Sequence, residues 1–238
     1  MKIASLLAQY PQDELDRRMT AVRNAGPPGV EVEFLQIEGC VYRKGLTDLH
    51  RSMIAPLVAE KALEAQESGF DAIVPYGTLD LGVEESRHVV DIPIIGPGHS
   101  GVSTAAMLAQ QFSILTYDEP HVAMFARLVR KWGVADRVTS IRSVGIVITD
   151  MVAQFDELRT RFLDLAKMTL EEERAELVLP LGMTVVPVLL SADDLTQELD
   201  VPVLDPLALS MSIAATLART GYQNSRIAYP AASLDRSR

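Results

Sequence analysis

Short, nearly unbroken apolar runs alternate along this chain with longer stretches whose apolar residues recur at helical spacing. Residues 2–8 are an apolar strand; they resemble a short signal core, but Gln9-Tyr-Pro-Gln-Asp follows without a cleavage pattern. Pro11 begins a turn, and Asp13 is expected to cap a helix running through Arg17, Met19 and Val22. Gly26-Pro-Pro-Gly29 breaks the chain, and residues 30–37 alternate as a half-buried or edge strand. A loop over 38–47 leads to a helix near 51–68, with Gly69 as its C′ residue. Residues 72–75 read as a buried strand, Asp80 to Val90 as a helix, 92–95 as a strand and 103–110 as an Ala-rich helix. Residues 112–116 are a further strand, followed by Tyr117-Asp-Glu-Pro and a helix through Trp132.

The later part of the chain repeats the scheme. Residues 144–148 are a predicted strand, 151–174 a helix broken near Met168, and 177–180 a strand. Residues 183–199 are less regular, with Asp193 and Asp194 opening a helical turn; a strand at 201–204 and a helix at 206–220 follow. Such alternation predicts an α/β fold of parallel sheets covered on both faces by helices.

Two copies of one pattern lie inside this series. The first reads Asp71-Ala-Ile-Val-Pro-Tyr-Gly77-Thr78, then Val90-Asp-Ile-Pro-Ile-Ile-Gly96, then Ala105-Ala-Met-Leu-Ala109. The second reads Glu176-Leu-Val-Leu-Pro-Leu-Gly182-Met183, then Leu199-Asp-Val-Pro-Val-Leu-Asp205, then Ala214-Ala-Thr-Leu-Ala218. Two copies make a pseudo-symmetric pair of halves rather than a solenoid. The expected division is 1–115 with 206–238 as the first half and 116–205 as the second, packed as one unit with a cleft between them. Ligands in open α/β sheets gather outside the C-terminal ends of strands, where Gly77 and Gly182 fall.

Composition narrows the function classes. With 48% hydrophobic residues the 238-residue chain can bury a sizeable core. A net charge of −10 argues against a nucleic-acid partner, which needs a basic face. The lone cysteine, Cys40, leaves no disulfide framework or Cys-rich metal site, and a cytoplasmic protein is the natural reading. No apolar stretch is long enough to span a membrane.

Several motifs then acquire a common meaning: Gly69-Phe-Asp-Ala-Ile-Val, Gly77-x-x-Asp80-x-Gly82 followed by Arg87, Val90-Asp-Ile-Pro-Ile-Ile-Gly96, and Phe112-Ser-Ile-Leu-Thr116. In this order the chain, over residues 30–218, resembles the aspartate/glutamate/hydantoin racemase superfamily, which includes maleate isomerase and arylmalonate decarboxylase. In the racemases the resemblance implies one cysteine at each half's strand end. One thiolate takes a proton from the carbon beside a carboxylate or carbonyl, and the other thiol returns it on the opposite face. Ungapped counting from Asp71 and Glu176 puts those positions at Gly77 and Gly182. Glycine cannot transfer a proton, so two-thiol racemization is excluded. Cys40 lies in an earlier loop and reads as a small buried or incidental thiol. The decarboxylase branch has glycine at the first position, followed by hydroxyl residues that hold a carboxylate. Gly77-Thr78 fits that half of the pattern, whereas the decarboxylase's second cysteine has no counterpart.

The candidate substrate-binding groups are Gly77 and Thr78 and the mirror-image Gly182, Met183 and Thr184, whose backbone N–H groups could cradle an oxygen, together with Thr116, which with Tyr117 ends a strand where the resemblance implies a Thr-Thr or Thr-Tyr pair contacting substrate. The candidate catalytic groups are His99 in the Gly-rich run 96–101, Asp80 and Tyr117. Each has a plainer reading: tight turns for the glycines, a helix cap for Asp80, an ordinary loop position for His99, packing for Tyr117. His50, His88 and His121 read as surface residues on helices. No metal site, cofactor motif or nucleophile elbow is present. The expectation is a cofactor-independent, homo-oligomeric enzyme acting on a small carboxylate or cyclic amide by hydrolysis, hydration or elimination. The alternatives are an isomerase, racemase or decarboxylase using non-cysteine groups, and a binding module that has lost the chemistry.

Overall fold

A computed structural model describes residues 1–41 and 47–234. In chain order its elements are β1 (Lys2–Gln9), α1 (Gln12–Ala25), β2 (Glu31–Val41), α2 (Asp48–Glu67), β3 (Ala72–Pro75) and α3 (Val83–Ser86). There follow α4 (Pro97–Leu108), β4 (Phe112–Thr116), α5 (Glu119–Lys131), β5 (Val138–Ser143) and α6 (Phe155–Glu171). The series ends with β6 (Val178–Pro180), α7 (Ala192–Leu199) and α8 (Pro206–Thr220). None of the described helices is long and apolar enough to cross a membrane.

The chain divides into two compact units, residues 1–97 with 210–238, and residues 98–209. The expected boundary at 115/116 thus moves to 97/98, because β4 pairs with β5 and β6 rather than with the earlier strands. Each unit holds a parallel three-stranded sheet, in the order β2-β1-β3 and β5-β4-β6. β3, β4 and β6 are buried along their whole length, as their unbroken apolar runs predict.

The repeat extends to individual backbone hydrogen bonds. Tyr76 N–H donates to Leu6 O and Leu181 N–H to Leu115 O, both at 2.8 Å. Ile73 N–H donates to Pro93 O (2.9 Å) and Val178 N–H to Pro202 O (3.0 Å). Residues 92–95 and 201–204, expected as strands, each make only a single bridge, Ile73 with Ile94 and Val178 with Val203. A proline inside each run removes a ladder donor, which keeps the run at the sheet edge. Both runs lead directly into a helix that begins with proline, α4 or α8.

Several elements differ from the sequence reading. The strand expected at 144–148 is absent; polar β5 takes its place, and the chain leaves the ladder at Gly145 (φ +69°). Val144, Ile146 and Ile148 are nevertheless buried, and although no strand forms, Val144 N–H still donates to Thr116 O (2.9 Å) and Ile146 N–H to Tyr117 O (3.2 Å). α6 runs unbroken through Met168. The Asp80–Val90 helix shrinks to the four residues of α3, and α4 starts six residues before the expected Ser103. Pro11, not Asp13, precedes α1. Cys40, expected in a loop, lies in β2 within the first unit's apolar core beside Leu6, Ile37 and Val58.

A partly buried ion pair fastens α1. The Arg18 side chain, 2% exposed, stacks over the Tyr10 ring at 4.2 Å and pairs with Glu14, which Arg17 also reaches at 2.8 Å. Burial alone would raise the Glu14 carboxyl, but hydrogen bonds from Arg17 and Arg18 outweigh it and hold its pKa below the ordinary value. A carboxyl depressed in the folded state stabilises above its unfolded pKa, about 4.3, and that stability is lost as pH falls through the folded value. Glu14→Gln is expected to cost about 2–4 kcal/mol at pH 7, because it leaves a buried guanidinium without its carboxylate. In urea unfolding the deficit should shrink toward acid; a deficit equal at pH 7 and pH 3 would contradict the assignment.

Candidate functional site

The second unit gathers most of its chemistry at the ends of β4 and β6. The Thr116 hydroxyl, buried, donates to Leu181 O at 3.0 Å and joins the two strand ends. Its hydrogen is committed to that contact. The Tyr117 ring then lies directly on Gly182: a Cβ at that position would stand 2.7 Å from Tyr117 Cδ1 and 3.3 Å from Cε1. Even alanine is too large for this approach, and a cysteine would need the ring to leave.

From there Tyr117 reaches along α5. Its hydroxyl is 2.8 Å from His121 Nε2, with ring centroids 4.2 Å apart. His121 Nδ1 pairs with Asp118 Oδ1, and the His121 backbone N–H donates to the same oxygen at 3.2 Å, making Asp118 the N-cap of α5. The spacings of three and four residues put these side chains on one helical face. His121 is 4% exposed, which corrects the surface placement expected for it. The signal was available: His121 opens the stripe His121, Met124, Phe125, Leu128, Val129, which α5 buries at helical spacing. Asp118 was missed because a residue before a helix reads only as a cap.

Met183 and Thr184, expected as a mirror-image cradle, are buried, and Thr184 opens an irregular helical turn over Thr184–Leu189. His99 sits in the first turn of α4 rather than in a loop, its ring stacked 5.7 Å from that of Trp132 with 16° between the planes. Trp132 follows the C-terminus of α5, about 16 Å along the axis from His121 at 1.5 Å per residue.

In the first unit Gly77 adopts φ +131°, which L side chains rarely enter, and nothing lies within 4 Å of where its Cβ would be. Thr78 beside it is buried. Asp80 takes φ +52° and does not open a helix, since α3 begins three residues later behind Gly82. Its carboxyl instead packs against Gly96, the residue before α4, where a Cβ would overlap it. The second copy of the repeat explains this placement. Asp205 stands where Gly96 stands, immediately before a helix that begins with proline, and its Oδ1 accepts Leu207 N–H (2.8 Å) and Ala208 N–H (3.1 Å). Burial pushes the Asp205 carboxyl up against the lowering effect of those bonds. The first copy has Gly96 at that point of the sequence, and the acid packed against it is Asp80.

His88 packs against the C-terminal segment, its Nδ1 2.9 Å from Pro230 O, and His50 completes the capping box of α2 with Thr47. Cys40 is 5% exposed, and burial pushes its thiol pKa up, so it is neither accessible nor readily ionised. Among the described residues no group of three or more His, Cys, Asp or Glu side chains is placed to hold a metal ion.

A family model described as Asp/Glu/Hydantoin racemase matches residues 15–214. A hydantoin racemase from Pseudomonas sp. (strain NS671) is 32% identical over 176 residues, 72% of this chain and 68% of that protein. A hydantoin racemase from Paenarthrobacter aurescens is 28% identical over 174 residues, 71% of each chain. In fold, the chain matches the crystal structure of an allantoin racemase from Pseudomonas fluorescens with a TM-score of 0.86, 20% identity and complete coverage of both chains. Arylmalonate decarboxylase is more distant, with a TM-score of 0.58 and 17% identity over 92% of this chain and 93% of that one.

The contact between Tyr117 and Gly182 is open to direct test. Gly182→Ala is expected to lower unfolding stability by about 1–3 kcal/mol, because the ring must move to admit the methyl group. It should also weaken the hydrogen bond to His121, visible as altered side-chain NMR signals of Tyr117 and His121. Unchanged stability together with unchanged spectra would show that the ring does not rest on Gly182.

Proposed function

Since this chain belongs to the Asp/Glu/hydantoin racemase family, we propose that it is an enzyme acting on a small cyclic amide or carboxylate, with a phenol in place of a thiol as its proton-transfer group. The observation that carries this reading is the Tyr117 ring lying on Gly182. Counted from the repeat, Gly182 is where the resemblance places a catalytic thiol. A dissociable hydroxyl next to that position can supply the same function, removal or return of a proton beside a carbonyl. The names of the relatives favour a hydantoin-like ring as substrate.

Elimination, hydration or hydrolysis needs one well-placed acid or base per proton transfer. Racemization by the family's route needs two, one for each face. Tyr117 is a single such group. The reading therefore favours one-sided proton transfer, seen as exchange of the proton beside the carbonyl, or elimination, hydration or hydrolysis, over racemization. In the first unit we assign Gly77 and Thr78 to holding a substrate oxygen in their own right: the backbone of a half-buried glycine at φ +131°, with nothing within 4 Å of where its Cβ would be, admits an oxygen closely. Asp80 is left out of the catalytic set, because its carboxyl packs against Gly96.

The test uses 5-monosubstituted hydantoins and unsaturated diacids in D₂O, followed by proton NMR and chiral chromatography. The wild-type protein should either wash out the proton beside the carbonyl or add water across the double bond. Tyr117→Phe should reduce this rate about 10²–10⁴-fold while leaving substrate affinity within a few-fold. A Tyr117→Phe variant with the wild-type rate would overturn the assignment of Tyr117, and racemized product would return the chain to isomerase chemistry.

A further inference from the structure

A free phenol, with a pKa of about 10, is a weak acid and a weak base, so a phenol alone is poorly matched to proton transfer at neutral pH. The residues behind it supply what is missing. We propose that Tyr117, His121 and Asp118 form a proton relay in which Tyr117 meets the substrate and His121 and Asp118 act as positioning residues behind it. This rests on the function proposed above for Tyr117, and it adds how that phenol is made reactive.

The argument begins at Asp118. An ionised carboxylate only accepts hydrogen bonds, so the His121 Nδ1 that pairs with it carries the hydrogen. In neutral imidazole the other nitrogen is then an acceptor. His121 Nε2, 2.8 Å from the phenol, accepts the Tyr117 O–H. The direction of each bond follows from the carboxylate at the end of the chain.

This fixes the proton path in both directions. When a substrate proton moves to Tyr117 Oη, the phenolic hydrogen passes to His121 Nε2. The tyrosine ends neutral, as it began, and His121 becomes an imidazolium whose Nδ1–H still points at the Asp118 carboxylate. The substrate carries away the electron pair of the broken bond as an enolate, or as hydroxide where water is the proton source. In reverse, His121 returns its proton to Oη as the phenolic hydrogen leaves for the substrate. No free phenolate forms at any stage.

The surroundings hold the relay in place. His121 is buried and Asp118 half-buried, while Tyr117 retains partial exposure at the strand end. Asp118 is also anchored as the cap of α5, and the Tyr117 ring is set from the other side by Gly182. The relay is thus built by one helix start and one strand end.

The test separates the relay from the choice of substrate. Long-range ¹H–¹⁵N correlation spectra report which ring nitrogen of a histidine carries hydrogen, and comparison with His121→Asn assigns the signals among the four histidines. In the wild-type protein His121 should be the Nδ1–H tautomer. Asparagine caps a helix as well as aspartate does, so Asp118→Asn should fold normally. Its amide can donate to Nδ1, and the Nε2–H form should then gain population. With 5-benzylhydantoin in D₂O, Asp118→Asn should exchange the C5 proton at least about 100-fold more slowly, with its half-saturating concentration within a few-fold of wild type. An Nε2–H tautomer in the wild-type protein, or exchange by Asp118→Asn at the wild-type rate, would overturn the relay. If the wild-type protein does not exchange the hydantoin proton, yet its tautomer is Nδ1–H and switches in Asp118→Asn, the relay stands and the hydantoin reading falls.

Discussion

A strand buried on both faces has no water to satisfy its backbone, so each N–H and C=O in β3, β4 and β6 must find a partner within the sheet. Parallel pairing meets this demand, and it determines where each strand can stop. The pairs Tyr76 with Leu6 and Leu181 with Leu115 are the last rungs before the chain turns away, and a glycine follows each of them. The chemistry of each unit is set by what the fold brings to that turn. At Gly77 it is an open backbone with a buried threonine beside it; at Gly182 it is the ring of Tyr117.

The two copies solve the same local problems with different residues. Before α8 the acid belongs to the chain itself, Asp205; before α4 the same place is held by Gly96 with the carboxyl of Asp80 against it. Such exchanges explain why a sequence repeat need not preserve a function. What is kept is a charge at a helix start or a filled volume at a strand end, and a different residue can provide it. On this view Tyr117 is the consequence of a glycine at 182. With no side chain there, an aromatic ring from the neighbouring strand end can settle on the backbone and bring its hydroxyl to His121.

Much of the fold was legible in the sequence because its signals are local. The apolar runs at 72–75 and 112–116, Gly69 at the end of α2 and the paired motifs at 71–109 and 176–218 needed no distant information. What was not legible depends on contacts far apart in the chain. Nothing local shows that Asp80 turns toward Gly96, or that residue 117 lies on residue 182. β5 escaped because its residues are mostly polar and only half-buried, while the apolar run after it is buried beyond the end of the strand. His121 is a different case. Its place on the buried stripe of α5 can be counted from the sequence, and histidine's usual place at the surface hid it.

The central claim is that this family member performs its proton chemistry without a thiol. Cys40 is the only cysteine in the chain, so Cys40→Ala yields a protein with none. Its rate of substrate proton exchange, measured beside wild type on the same hydantoin, tests the claim most directly. The account predicts a rate within about threefold of wild type, since Cys40 is packed in the core of the first unit and small apolar replacements there perturb mainly stability. Complete loss of exchange in a Cys40→Ala protein that still folds would contradict it and return the chemistry to sulfur.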